Sequence, residues 1–292
     1  MLVGAGVTAL GAPVILGVVN APQLCAQSQA EHLAFEVASI RSNNSTDLRG
    51  TQLQFLPGGK FVARNVPLVV IVATAYNLPF QSTRLTGGKD WNDLALGKYD
   101  IEAKADDAAF PPGLSSKVHD DNMRLMLQSL LEERFKLKMR REPKEQPVYA
   151  LVAAKNGPNL QKSKMQAKDC DGEPTGLAEG CHSVSGGQGR GIQGDAISIA
   201  DVALFVQNWT DRPVVDKTGL TDLYTIRTEG WLPMRQRPPS PEGAPKGREA
   251  ELNDPDRPTL AKVFEQLGLK MESQRAVVDM FVIEHVERPA AN

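Results

Sequence analysis

The sequence predicts an α+β fold of two similar units, each made of small, mostly antiparallel sheets with helices packed on one face, after an N-terminal apolar helix. Three observations carry this. Residues 120–152 read as a helix followed by two short β runs. The same grammar returns over residues 258–286 in a shared register: Leu131 with Val263, Phe135 with Leu267, Leu137 with Leu269 and Met139 with Met271. The strands ahead of these stretches match as well, because Tyr99-x-Ile101 is echoed by Tyr224-x-Ile226.

In the first copy, Met123, Met126, Leu127, Leu130, Leu131 and Phe135 follow the i, i+3, i+4, i+7 spacing of one apolar helical stripe. Asp120, Asp121 or Asn122 supplies an N-cap, with acids suited to the dipole. Residues 136–140 alternate as a half-buried strand does. Glu142 to Pro147 holds two prolines and reads as a polar turn, so Val148 to Val152 is the returning arm of a hairpin. In the second copy, Leu260, Val263, Phe264 and Leu267 make the stripe, and Val278 to Val286 supplies the closing strand.

From the N-terminus, residues 2–22 form an apolar run with no charge before Glu31. The run is long enough to cross a bilayer, which takes about 20 residues. It also fits a signal peptide cut after Ala26 or Ala30. No basic n-region precedes it, which fits either the tail of a longer membrane protein or a misassigned start. Cys25 follows Leu24, where a lipoprotein cysteine needs a small neighbour. Phe35 to Arg41 alternates as a strand, and Thr51 to Arg64 reads as a hairpin around Pro57-Gly58-Gly59. Asn65-Val66-Pro67 opens a helix with Pro67 in its first turn. Leu68, Ile71, Val72 and Ala75 form its inner face. Leu85 to Leu96 reads as a loop in which Trp91, beside Gly87-Gly88, either lines a ligand site or, the favoured reading, plugs a core edge. Lys98 to Lys104 alternates strictly. Residues 155–194 read as a polar, Gly-rich connector, and residues 234–256 as a Pro/Gly/charge-rich loop. The expected domains are therefore a membrane span or signal peptide (1–26), a first unit (27–154), the connector (155–194) and a second unit (195–289).

At 292 residues and 41% hydrophobic content the chain can bury a sizeable core. A formal net charge of −2 gives no electrostatic case for nucleic acid, and 5% aromatic residues argue against a stacking platform. Of three cysteines, Cys170 and Cys181 flank a polar segment. In an oxidising compartment they form a disulfide worth roughly 2–3 kcal/mol. Free thiols and a metal site are the alternatives, and only His182 stands beside them as a further ligand. The four histidines are dispersed, and no HExxH, CxxC, GxSxG or phosphate-loop pattern occurs. No cofactor or metal site is therefore expected. The most motif-like polar cluster is Asp216-Lys217-Thr218, which is either a nucleophile–base group or a turn closed by Gly219. Asp100 and Glu102 share a strand face with Lys98 and Lys104, as a solvated salt-bridge row does.

The runs FEVASIR, GGKFVARNVPL, ATAYNLP, GKYDIEAKA, MLQSLLEERFKLKMRRE, PVYALVAAKNGP, RPVVDKTGLTDLYTI and FVIEHVERP together resemble one family. It is the exported paralogous family of soil Acidobacteria of the Solibacter type, a domain of unknown function. The likeness covers residues 34–289 and implies export but no known activity. Some members look like C-terminal extensions of membrane-embedded zinc peptidases of the BlaR/MecR-like antibiotic-sensor class. Residues 3–22 are similar to the last membrane span before that extension. The peptidase motif itself is absent, so no catalytic residue carries over. A weaker likeness is to the N-terminal modules of secretins and TonB receptors.

Three functions fit this reading. One is an extracytoplasmic binding or sensor module, anchored in the membrane through its N-terminal helix and recognising a ligand or an envelope protein. Another is an exported hydrolase built around Asp216, Lys217 and His285. The third is an envelope scaffold that pairs through exposed sheet edges.

Overall fold

A computed structural model describes residues 33–45, 50–80, 82–111, 114, 116–170, 181–232, 234 and 256–289. Its first half runs β1 (Val37–Asn43), β2 (Gln52–Leu56), β3 (Lys60–Pro67), α1 (Leu68–Ala75), β4 (Leu85–Gly87), α2 (Lys89–Leu94), β5 (Lys98–Lys104), α3 (Ser116–Phe135) and β6 (Lys138–Ala153). The second half runs β7 (Gln161–Lys162), β8 (Ser185–Gly187), β9 (Gly191–Ile197), α4 (Ile199–Val206), β10 (Val214–Asp216), β11 (Tyr224–Arg227), α5 (Leu260–Gln266) and β12 (Leu269–His285). Apart from α2, the two lists have the same order.

The pairing repeats as well. One sheet has the order β1-β5-β3-β2 and the other β7-β11-β9-β8. In the first, Ala63 faces Ile101 and Val66 faces Tyr99 across a bulge; in the second, Gly194 faces Ile226 and Ile197 faces Tyr224 across another. The Tyr-x-Ile echo therefore marks one register used twice.

The third sheet joins the halves, in the order β10-β6-β12-β4. Here the expected hairpins are corrected. Residues 138–153 form one unbroken strand, as do residues 269–285, and the two pair with each other along their length, antiparallel. Extending the alignment of Met139 with Met271 makes Glu145 the twin of Val277, and these two residues face each other in the ladder. A two-fold axis relating the halves would have to pass through such a pair. The flanking strands obey the same axis. β4 runs parallel to β12 with Leu85 at Phe281, and β10 runs parallel to β6 with Val214 at Tyr149. The Phe281 N–H donates to Arg84 O and the Tyr149 N–H to Pro213 O, both at 2.8 Å. Each half thus closes an edge of the other half's long strand, and residues from Leu33 onward form one compact unit.

Two apolar cores follow from this plan. Phe61, Ile101, Leu68, Ile71, Met123, Leu127, Leu131 and Phe135 pack the first sheet against α1 and α3. Ile192, Ile226, Val202, Val206, Leu260, Val263 and Phe264 do the same for the second sheet with α4 and α5. A capping box starts α4, with Ser198 accepting from the Asp201 N–H and Asp201 accepting from the Ser198 N–H. Thr259 caps α5 by accepting from the Lys262 N–H at 3.2 Å.

Other expectations shift locally. Pro67 ends β3 and stands at the N-cap of α1 rather than in its first turn. The stretch from Leu85 to Leu96, expected as a loop, holds β4 and α2, and Trp91 on α2 is buried in the first core. Gly186 to Gly191 is not connector but the tight hairpin between β8 and β9, where Gly187 faces Gly191. An alanine Cβ at Gly191 would lie 1.9 Å from Thr228 O, so the sheet needs a bare backbone there. The N-terminal span or signal peptide and the bulk of the loop expected at 234–256 lie outside the described residues. Among the described residues, no helix is long and apolar enough to cross a membrane.

Candidate functional site

The long ribbon of β6 and β12 exposes two backbone edges. The Tyr149 N–H donates outward to Pro213, and Leu151 O accepts outward from the Lys217 N–H at 2.8 Å. Odd-numbered residues of β6 therefore point their backbone groups away from β12, because such groups alternate along a strand. By the same logic the Phe281 N–H sets odd-numbered residues of β12 outward. β10 covers only Tyr149 to Leu151, and β4 only Phe281 to Ile283. The outward groups of Met139, Arg141, Pro143, Glu145 and Pro147 on one edge, and of Met271, Ser273, Arg275, Val277 and Asp279 on the other, pair with no strand among the described residues.

The two edges are twins in position but not in chemistry. Pro143 and Pro147 both occupy outward positions, so neither removes a ladder bond, which is why a segment with two prolines stays a strand. They do remove two outward donors, a common way of blunting an edge. Their twins are Arg275 and Asp279, which keep their N–H groups. Val277 between them is 67% exposed. Arg275 reaches Glu145 of β6 at 3.3 Å. Asp279 pairs with Arg141, whose hydrogen bond holds its carboxyl below the usual carboxylate range. The Arg141 guanidinium also lies 5.8 Å from the Phe281 ring centre.

Tyr76 packs edge-on against Phe281 at 5.8 Å. Burial, then the charge of Glu132, pushes its phenol from 10 up to about 12. The unfolded chain loses this proton near pH 10, while the folded chain holds it to about pH 12. Stability is therefore complete below pH 10 and falls between these values. Alkaline melting curves are expected to show this decline, and Tyr76→Phe to reduce it.

The sequence-predicted cluster folds as a turn. Asp216 Oδ1 accepts from the Thr218 N–H at 2.8 Å and from its hydroxyl at 2.7 Å, while Lys217 donates to Gln274 at 3.0 Å. His285 pairs with Glu287 at 2.8 Å at the far end of the ribbon. Asp216 aligns with Leu151, which faces Met271, so roughly 45 Å of extended strand separates the turn from His285. The proposed nucleophile–base group does not assemble. Cys170 and Cys181 are bonded to each other, with Cα atoms 5.6 Å apart. His182, beside them, bonds the Asp201 carboxylate of the capping box at 2.7 Å, which ties the disulfide to the start of α4.

A depression of about 290 Å³ lies on the open face of the first sheet, lined by Ser39, Arg41, Ala63, Arg64, Asp100 and Glu102. Arg64 pairs with Glu102 at 3.0 Å. At the twin positions of the second sheet, Asp195 pairs with Arg227 at 2.9 Å, with the charges exchanged. The pair is thus a cross-strand tie used in both sheets, in place of the expected row along β5, where Lys104 pairs with Asp107 instead and Lys98 donates to Ser45 O. Asp100 accepts from Asn43 at 2.9 Å and from the Asn65 N–H at 2.7 Å, fixing the bulge where Asn65 takes φ 54°. Among the described residues no group of three His, Cys, Asp or Glu side chains converges to hold a metal ion.

The family described as "Protein of unknown function (DUF3738)" matches residues 70–286. The chain belongs to this family. Neither the curated proteins nor the solved structures contain a match to the chain. The DUF3738 match begins within α1 and ends just past β12, so it takes in both edges of the ribbon and all four strands of the joining sheet. Arg275, Val277 and Asp279 were not singled out from the sequence. The available signal was the even spacing of Pro143 and Pro147, which places both prolines on one side of a strand.

Proposed function

We propose that this chain is an extracytoplasmic, non-catalytic recognition module that binds an extended segment of another protein as an added strand on β12. The observation that carries this is the difference between the twin edges. One has lost two donors to proline, whereas the other keeps an unbroken outward row from Met271 to Asp279. Backbone hydrogen bonds would supply affinity and alternate side chains selectivity. Export is supported by the Cys170–Cys181 bond, since such bonds persist outside the reducing cytosol. The resemblance to extensions of membrane peptidases suggests a sensor role, in which a captured segment reports to a membrane-embedded neighbour.

The test transplants the blunted edge. Arg275→Pro with Asp279→Pro gives β12 the residues that its twin already carries. This variant is expected to melt within a few degrees of the parent. It should lose at least tenfold in affinity for extended peptides selected from a random library. Equal binding by parent and variant, or a library that yields no binder, would overturn the reading.

A further inference from the structure

Resting on the strand-addition reading, we infer that the guest segment is antiparallel to β12 and carries, from its N- to its C-terminus, a basic, an apolar and an acidic residue at alternate positions. Arg275, Val277 and Asp279 share both a face and an edge, because side chains two apart lie on one side of a strand. An antiparallel guest sets residues directly opposite these three, in the more stable of the two ladder types. An acid then stands opposite Arg275, an apolar side chain opposite exposed Val277, and a base opposite Asp279. The existing ion pairs strengthen this pattern. Arg275 already has Glu145 on its β6 side, so the guest acid completes a row of alternating charge across three strands, while the guest base joins Arg141 and Arg84, which already act on Asp279. Opposite charges across neighbouring strands stabilise a sheet, and like charges destabilise it.

The free stretch also limits the guest's length. β4 occupies the same edge from Phe281 onward and Arg84 leads into it beside Met280, so the guest ladder ends at Asp279. β12 itself reads Arg275-x-Val277-x-Asp279 and satisfies its own pattern. A second copy of the chain cannot use it, however. In that register Ser273 of the copy falls opposite Phe281, where Leu85 already sits. The guest is a short extended segment of a different protein, such as a tail or a surface loop.

The probe is a labelled synthetic peptide with the sequence of residues 274–280, titrated against the full chain by fluorescence anisotropy. It is expected to bind, and a peptide with its arginine and aspartate exchanged to bind about tenfold more weakly. The doubly reversed chain, Arg275→Asp with Asp279→Arg, should invert that preference. If both peptides bind both chains equally, the charge order is wrong while strand addition survives. If neither binds but library peptides do, the pattern is overturned. If no extended peptide binds at all, the strand-addition reading falls with it. A stable dimer of the free chain, abolished by the double proline variant, would overturn the exclusion of self-pairing.

Discussion

Replacing Gly268 with alanine is expected to destabilise the protein by about 3 kcal/mol or more, a fall in Tm of roughly 6–12 °C. Gly268 follows α5 with φ 68°, the left-handed conformation that ends many helices. A Cβ there would lie 2.4 Å from Asn159 N and 2.5 Å from Gly157 O, both backbone atoms that cannot rotate away. Left-handed strain adds about 1–2 kcal/mol. The twin position after α3 gives the control. Lys136 holds the same conformation, φ 53°, but is exposed. Lys136→Gly relieves the strain and loosens the unfolded chain by a similar amount, so stability should change by less than about 1 kcal/mol. Thermal melts of both variants test the pair together. A mild Gly268→Ala would show that the loop at residues 157–159 yields, and that the helix end is not anchored to it.

Truncating Phe135 to alanine is expected to cost about 3–5 kcal/mol. The ring is fully buried at the end of α3 and meets Tyr99 edge-on at 5.0 Å, with planes 84° apart. The Phe135 carbonyl accepts the Glu287 N–H at 2.7 Å, so the chain just past β12 closes over the same spot. A cavity here touches α3, β5 and the end of the ribbon at once. Denaturant titration should show a lower midpoint with an unchanged slope, which marks lost stability rather than an altered unfolded state. Phe135→Leu, which keeps most of the volume, should cost about 1 kcal/mol.

The local chemistry of the sequence carried most of the elements. The stripe from Met123 to Phe135 became α3, and the strict alternation of Lys98 to Lys104 became β5. Asp216 to Gly219 read as a turn because its bonds span only two residues, and local bonds leave local signatures. The joining sheet was misread for the opposite reason. Proline and charge are turn signals in isolation, and whether a proline breaks a strand depends on which side its nitrogen faces. That side is set by β10 and β4, each contributed by the other half of the chain. The candidate site was illegible for the same reason. Among the described residues the edge at Arg275 to Asp279 is open because β4 is only three residues long, and nothing near residue 275 encodes the length of a strand at residue 85.

The exchange of β4 and β10 also bears on when the protein reaches its native state. β4 is made long before the strand it docks on, since Leu85 pairs with Phe281 of β12. The first sheet and its helices can collapse on the nascent chain. The edge strand must wait, because contacts so distant in sequence form late. Until β12 emerges, Leu85 to Gly87 has no ladder to join, and synthesis of that strand becomes the event that locks the two halves together.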